Sequence, residues 1–163
     1  MLYFAYGSNM SIKRLCARAP SARFVTVAKL SKHILKFHKA GQDGSGKCDA
    51  FETGDMDDFI MGVVFEIDAS EKPVLDRKEG LGQGYEVKDV VVTSRQGASL
   101  EAFTYTATNI RWSLKPYHWY KAHVLRGAEE NGLPESYIQE IARIASDADP
   151  KPERHASEMA IYL

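Results

Sequence analysis

The residue types best suited to chemistry occur in two short segments, the first of which is Tyr6-Gly7-Ser8-Asn9. Its first residue, Tyr6, ends an aromatic run over residues 2–6 that has the composition of a short buried strand. A strand that ends in small residues lets main-chain N–H groups approach a ligand, and successive amides at such a turn can bind an anion or a carbonyl oxygen. An ordinary strand-to-turn connection, capped by Ser8 or Asn9, is the simpler interpretation of this segment alone.

The second segment ends in Glu79, directly before Gly80 at the predicted end of a helix. The C-terminal end of a helix carries the negative end of the macrodipole, which makes it an unfavourable place for a carboxylate charge. A carboxyl group in that position can accept a proton and later return it, as an acid/base group must. Considered alone, these residues are explained more simply as a surface glutamate in a charged run, with Gly80 as a stop signal.

Other motifs that would indicate a metal, a nucleotide or a nucleophile fail on spacing. Cys16 and Cys48 form no Cys-x-x-Cys pair and have no clustered histidines, so neither a metal site nor a disulfide framework is expected. The glycine-rich loop 41–46 has neither the Gly-Lys-Ser/Thr of a P-loop nor the ligands of an EF-hand. No Gly-x-Ser-x-Gly occurs, so Ser8 is not expected to be a serine-hydrolase nucleophile. The leading hypotheses therefore require no metal or cofactor.

The composition argues against several partner classes. The chain has 163 residues, a formal net charge of −1 and 44% hydrophobic residues, as in an ordinary soluble globular protein. Its basic residues are scattered, so neither nucleic acid nor an anionic membrane is an expected partner. The densest group is interpreted as the solvated face of strands: Lys29, Lys32, Lys36 and Lys39. Without a signal peptide or an apolar run of about 20 residues, the protein is expected to be cytoplasmic and to lack a membrane span.

The periodicity of apolar residues predicts mainly strands first and helices later. Strands are expected over residues 2–6, 24–30, 33–37, 51–53, 60–67, 85–93 and 101–106. Helices are expected over residues 11–17 and 71–79, from Pro116 to Gly132, and from Pro134 to about Ile144. Residues 147–163 contain Pro150 and Pro152 and are interpreted as an irregular tail. With no repeat and no linker, residues 1–163 are expected to form a single α+β domain, a mixed sheet or small barrel flanked by helices.

Three segments, in this order along the chain, resemble a known family. They are Tyr3-Phe4-Ala5-Tyr6-Gly7-Ser8-Asn9, Leu75-Asp76-x-x-Glu79-Gly80 followed by Tyr85, and Gly127-Ala128-x-Glu130-Asn131-Gly132-Leu133-Pro134-x-x-Tyr137. The first is typical of the wider AIG2-like superfamily, and the three together resemble γ-glutamylcyclotransferase over most of residues 2–144. The fold of that family is a small mixed β-barrel with flanking helices, which agrees with the predicted elements.

The resemblance implies roles for individual residues. Glu79 would be the acid/base residue, and the γ-glutamyl group would be held largely by main-chain groups of the opening segment: Tyr3, Phe4, Ala5, Tyr6, Gly7 and Ser8. Tyr120 would lie beside the substrate, although its position on an apolar helical stripe is also consistent with a core role. Tyr85 and Asn9 match the family pattern and would shape the site.

The reaction implied by the resemblance needs no cofactor. The α-amine of a γ-glutamyl amino acid attacks its own γ-carbonyl, which releases 5-oxoproline and a free amino acid. A related cyclotransferase that acts on γ-glutamylamines, glutathione or a γ-glutamyl-protected intermediate would use the same carboxyl, so Glu79 does not separate these substrates. A γ-glutamyl-binding module without catalysis, and a partner-binding domain that uses the helical faces after Pro116, are the non-enzymatic alternatives. The oligomeric state is left open, a homodimer included.

Overall fold

The computed structural model describes residues 1–163. Its strands are β1 (Leu2–Ala5), β2 (Arg23–Ser31), β3 (His33–Ala40), β4 (Gly46–Glu52), β5 (Phe59–Glu66), β6 (Tyr85–Ser94) and β7 (Ser99–Ala107). Its α-helices are α1 (Ile12–Cys16), α2 (Lys72–Glu79), α3 (His118–Glu130), α4 (Glu135–Ala142) and α5 (Pro152–Met159), with 3₁₀ helices at Ser8–Met10, Ala69–Glu71 and Ala160–Tyr162. A helix with the length and apolar surface required to span a bilayer does not occur.

Five strands close into a barrel in the order β1-β5-β2-β6-β7. β1 lies between antiparallel β5 and parallel β7, and its contact with β7 pairs Tyr3 with Phe103. The longest pairing is the β6–β7 hairpin, which runs from Tyr85 opposite Ala107 to Thr93 opposite Ser99. The predicted α+β fold, a small mixed barrel with flanking helices, is confirmed.

Strand β6 illustrates how the barrel separates its two faces. Val90, Val92 and Ser94 are buried, whereas Val91 and Thr93 between them are exposed. Successive side chains of a strand point to opposite faces of the sheet, so this alternation places one face in the core. The core is one cluster of 33 buried residues to which the barrel and helices α3 and α4 all contribute.

The hairpin β3–β4 forms a separate two-stranded sheet beside the barrel. The sequence pattern predicts a short strand at 51–53, whereas β4 begins earlier, at Gly46. The glycine-rich residues before Gly46 form the turn of the hairpin. The Ala40 N–H donates to the Asn109 carbonyl at 2.8 Å, and the Gly46 N–H donates to the Lys115 carbonyl at 2.8 Å. These bonds fix both ends of the hairpin turn to the segment after β7. The turn and Ser8, which follows β1, border the same cleft.

Helix α3 packs closely against the turn that follows β1. A Cβ on Gly127 would lie 2.5 Å from the main-chain nitrogen of Ser11 and 2.6 Å from Cβ of Met10, so this approach requires glycine. Asn131 Nδ2 donates to the carbonyls of Met10 at 2.9 Å and Gly127 at 2.7 Å. The Gly-Ala-x-Glu-Asn motif therefore anchors α3 to the segment that carries residues 6–9.

Residues 152–162 are helical, so the prediction of an irregular tail over residues 147–163 is wrong for most of that segment. Pro152 lies in the first turn of α5, where the missing N–H removes no helical hydrogen bond. Asp149 precedes the helix and accepts hydrogen bonds from Arg154 Nε at 2.5 Å and from Trp119 Nε1 at 2.7 Å. The proline that suggests a break in the sequence marks the start of a helix in the structure.

Candidate active site

A two-part cleft opens where β1 leaves the barrel. Its inner part, called here the floor pocket, is small and is lined by residues of the β1 exit, of α2, of β4 and by several tyrosines. The outer cleft has a volume of about 390 Å³ and is lined mostly by charged and polar side chains. Four residues line both parts and so connect them: Ser8, Glu79, Tyr85 and Tyr120. The segment after β1 and the end of α2 therefore share one cavity.

The turn after β1 presents unpaired main-chain donors. Gly7 and Ser8 line the floor pocket, and their N–H groups donate to no other main-chain group. Gly7 has a φ of −117°, so its role does not depend on the left-handed conformation that the sequence pattern allows. What Gly7 provides is space, because a Cβ there would lie 2.9 Å from Cβ of Cys48. The turn can therefore approach Cys48 while its N–H groups remain available to a ligand.

Glu79 lies at the last position of α2, directly before Gly80. Its side chain is 17% exposed, and its Oε1 atom accepts hydrogen bonds from Asn9 Nδ2 at 2.9 Å and from Arg18 Nη1 at 3.1 Å. No protein group donates to Oε2. One oxygen of the carboxylate thus fixes the side chain, and the other remains available to accept a proton from a ligand in the cleft.

Arg18 is a site residue that the sequence analysis missed. It follows α1 and donates to Glu79 Oε1 and also to Asn9 Oδ1, while Asn9 Nδ2 contacts the Tyr3 hydroxyl at 3.0 Å. The guanidinium compensates the carboxylate charge that the end of α2 disfavours, so Glu79 is not the isolated helix-end carboxylate that the sequence suggests. A single arginine after a short helix carries no sequence signal for this contact, because the fold alone brings residues 18 and 79 together.

Two tyrosines hold the Cys48 peptide opposite Gly7. The Cys48 N–H donates to the Tyr120 hydroxyl at 3.0 Å, and the Tyr85 hydroxyl donates to the Cys48 carbonyl oxygen. Both tyrosines border the floor pocket. Burial raises the pKa of the Cys48 thiol, which keeps it neutral and makes it a poor nucleophile.

The opening segment divides between the site and the core. Tyr6, Gly7, Ser8 and Asn9 line the floor pocket. Tyr3, Phe4 and Ala5, which the resemblance implies as part of the substrate contact, line neither part of the cleft and belong to the buried core. Tyr3 acts from behind the pocket, because its hydroxyl supports the Asn9 amide that holds Glu79.

The outer cleft has an excess of positive charge. Six basic side chains line it: Arg14, Arg18, Lys39, Lys47, Arg77 and Lys78. Three acidic side chains oppose them: Asp43, Glu79 and Glu158. The interpretation of Lys39 as part of a solvated strand face is wrong, because Lys39 is only 7% exposed and borders this cleft. A cleft with this balance of charge favours ligands that carry more than one negative group.

The C-terminal helix closes one side of the outer cleft. Glu158 of α5 accepts a hydrogen bond from Arg14 Nη1 at 2.6 Å and lies 3.0 Å from His123 Nε2. The hydrogen bond with His123 and the nearby Arg14 guanidinium lower the pKa of Glu158 to about 2, against the opposing effect of burial. Burial lowers the pKa of His123, so the imidazole remains neutral near pH 7.

Known proteins share both the sequence and the fold. The sequence model of the AIG2-like family matches residues 59–141. γ-Glutamylcyclotransferase of Mus musculus is 36% identical over 149 residues, which cover 88% of this chain and 78% of that protein. The Homo sapiens protein of the same name is 36% identical over 148 residues, with the same two shares. A solved structure of a γ-glutamyl cyclotransferase superposes with a TM-score of 0.87 at 31% identity and covers 98% of each chain.

These matches establish the class and then the family. The closed barrel with its adjoining helices is the fold of that γ-glutamyl cyclotransferase, and the family match spans half of the chain. The chain belongs to the γ-glutamylcyclotransferase family, within the AIG2-like proteins. The family assignment made from the three sequence segments is confirmed.

Proposed function

We propose that this protein is a γ-glutamylcyclotransferase that converts γ-glutamyl amino acids into 5-oxoproline and a free amino acid, with Glu79 as the acid/base residue. One observation carries the proposal: the Glu79 carboxylate and the unpaired N–H groups of Gly7 and Ser8 border the same floor pocket. The curated relatives in Mus musculus and Homo sapiens, both named γ-glutamylcyclotransferase, support the same activity.

The first step is removal of a proton from the substrate. The α-ammonium group must lose a proton before its nitrogen can attack the γ-carbonyl. Glu79 accepts this proton through Oε2, while Asn9 and Arg18 hold Oε1. A positioned carboxylate of this kind typically contributes about 10²–10⁴-fold to a rate.

The second step is ring closure. The α-nitrogen attacks the γ-carbonyl carbon, and the negative charge that develops on the carbonyl oxygen is stabilised by the N–H groups of Gly7 and Ser8. Ring closure also requires a folded glutamyl chain, and the tyrosines that border the floor pocket are positioned to contact such a chain at the entrance of that pocket.

The third step is release of the amino acid. The bond between the γ-carbon and the leaving nitrogen breaks, and Glu79 returns a proton to that nitrogen. Over the whole reaction the α-nitrogen loses two protons and the leaving nitrogen gains two, so the product amino acid departs as its ammonium form. Glu79 relays these protons and ends as the carboxylate with which it began.

The excess of positive charge in the outer cleft favours a γ-glutamyl amino acid over a γ-glutamylamine. The amino-acid compound has a carboxylate on each side of the scissile amide, whereas the amine compound has only one.

The proposal includes a small-molecule substrate and a cytoplasmic location. Microscopy of a fluorescently tagged chain would test the location.

A substrate panel tests the proposal. The purified protein is incubated separately with γ-glutamyl-alanine, γ-glutamyl-ethylamine and glutathione, and 5-oxoproline is measured by liquid chromatography and mass spectrometry. We expect 5-oxoproline to form from γ-glutamyl-alanine with the highest kcat/KM of the three compounds. Higher kcat/KM for the amine or for glutathione would assign a related cyclotransferase activity instead. Binding without 5-oxoproline from any substrate would identify a binding module.

A further inference from the structure

Lys39 differs from the other basic residues of the outer cleft, because it is buried and has no anionic partner. Three other cations of the cleft are also mostly buried, but each has an anionic partner: Arg14 with Glu158, Arg18 with Glu79 and Lys47 with Asp43. The remaining two, Arg77 and Lys78, are exposed to solvent. Water can therefore solvate those two charges fully, whereas Lys39, which is only 7% exposed, contacts water only through the cleft.

The side chain of Lys39 is held in a defined position. Its Nζ atom lies 4.7 Å from the centre of the Tyr85 ring. Its stem passes so close to Gly84 that a Cβ there would lie 2.7 Å from the Lys39 Cε atom. Hydrogen bonds on both sides fix the main chain, because the Ala40 N–H donates to the Asn109 carbonyl and the Arg111 N–H donates to the His38 carbonyl, each at 2.8 Å. The ammonium group is therefore positioned by the protein before any ligand arrives.

The environment of Lys39 favours an anionic ligand. Burial lowers the pKa of Lys39, and the carboxylates of Glu79 and Asp43 act in the opposite direction without contacting it directly. A partly desolvated ammonium without an anionic partner costs free energy in the unliganded protein. A carboxylate bound to it would restore the lost interaction, and the resulting hydrogen bond would be charge-assisted.

The position of Lys39 along the cleft indicates which part of the substrate it meets. Lys39 lines the outer cleft but not the floor pocket, whereas Glu79 lines both. With the γ-carbonyl oxygen at the floor pocket and the scissile amide beside Glu79, the departing amino acid must extend into the outer cleft. Its carboxylate then lies on the side of Glu79 where Lys39 is found.

We propose that Lys39 binds the carboxylate of the departing amino acid and thereby selects γ-glutamyl amino acids over γ-glutamylamines, an inference that rests on the proposed function. Lys39 is a specificity residue in this account, and Glu79 remains the residue that moves protons. Tyr85 and Gly84 hold the ammonium group in place.

A matched pair of substrates tests this role. γ-Glutamyl-alanine and γ-glutamyl-ethylamine differ only in the carboxylate of the leaving group. For Lys39→Met we expect kcat/KM on γ-glutamyl-alanine to fall roughly 10- to 100-fold, mainly through a higher KM, as expected for loss of one charge-assisted hydrogen bond. On γ-glutamyl-ethylamine the same variant should change by less than about threefold, because that substrate lacks the group Lys39 binds.

Lys13→Met is the control for loss of one positive charge from the protein. Lys13 is exposed on α1 and lines neither part of the cleft, so its loss should change kcat/KM by less than about threefold on both substrates. The melting temperature of Lys39→Met should equal or exceed that of the wild type, because the variant loses a buried cation without a partner.

Three results would overturn the assignment: equal losses on both substrates, no preference of the wild type for γ-glutamyl-alanine, or an equal effect of Lys13→Met. A lower melting temperature accompanied by equal losses would assign Lys39 a packing role instead. Absence of 5-oxoproline from both substrates would reject the proposed function itself, and this result is distinguishable from a loss of selectivity alone.

Discussion

In the floor pocket the key side chains are held by other protein groups, whereas the outer cleft leaves positive charge uncompensated. Glu79 is fixed by Asn9 and Arg18, and Cys48 is held by two tyrosines. In the outer cleft Lys39 has no anionic partner. The difference indicates that the two parts have different functions. The floor pocket holds the reacting atoms, and the outer cleft recognises the leaving group.

This division follows from what each part must do. Proton transfer and stabilisation of a developing negative charge depend on positions that are fixed before the substrate arrives. Recognition of a leaving group instead requires an interaction that is completed only by the substrate, as an unpaired ammonium provides. Substitutions in the floor pocket should therefore lower kcat, and substitutions in the outer cleft should raise KM.

The largest effect is expected for Glu79→Gln, which keeps the shape of the side chain and removes its ability to carry a proton. The kcat for 5-oxoproline formation should fall by about 10²–10⁴-fold with little change in substrate binding. Steady-state kinetics and calorimetric titration measure the two quantities. Glu86→Gln, at an exposed position on β6, is the matched control. Substantial turnover by folded Glu79→Gln would remove Glu79 from the mechanism.

Gly7→Ala should have the next largest effect. Its new Cβ would lie 2.9 Å from Cβ of Cys48, so the turn must shift and carry the Gly7 and Ser8 N–H groups out of position. Loss of one such donor typically costs about 10²–10³-fold in kcat. Gly97→Ala, in the β6–β7 turn, strains the backbone because Gly97 has a φ of +87°, but Gly97 lines neither part of the cleft, so this variant controls for a loss of stability without movement of the site. Equal activity of Gly7→Ala and the wild type would contradict the role assigned to the turn.

Tyr120→Phe should affect both stability and activity. Removal of the hydroxyl leaves the buried Cys48 N–H without its acceptor, which should lower the free energy of unfolding by about 1–3 kcal/mol. We expect kcat to fall about tenfold as the Cys48 peptide moves relative to the floor pocket. Urea unfolding and steady-state kinetics measure the two effects. Full activity with full stability would show that the hydroxyl is dispensable.

Glu158→Gln should have the smallest effect and should act mainly on stability. The pKa of Glu158 is lowered from its ordinary value of 4.5 to about 2, so its stabilising effect is complete above pH 4.5 and is lost as the pH falls towards 2. At pH 7 the variant should be less stable by about 1–2 kcal/mol, after allowance for partial exposure of the side chain. Urea unfolding at several pH values should show that this difference shrinks below pH 4.5. A difference independent of pH would contradict the role of the charge.

Glu79 and residues 6–9 were recognisable from the sequence because their segments resemble γ-glutamylcyclotransferase, whereas a helix end and a strand exit alone favour simpler structural roles. Arg18 and Lys39 were not, since their importance comes from contacts and burial that only the folded chain creates. The same limit applies to α5. In the sequence Pro152 suggests a break in regular structure, whereas in the fold it is the first residue of a helix.

Binding experiments show most directly whether the Gly7 and Ser8 N–H groups and Glu79 act on the same substrate. Amide chemical shifts of isotope-labelled Glu79→Gln can be recorded by NMR while γ-glutamyl-alanine is added. We expect saturable shifts of the Gly7 and Ser8 amides, no 5-oxoproline, and no change at Val91 on the exposed face of β6. Saturable binding that leaves the Gly7 and Ser8 amides unchanged, or release of 5-oxoproline at the wild-type rate, would contradict it.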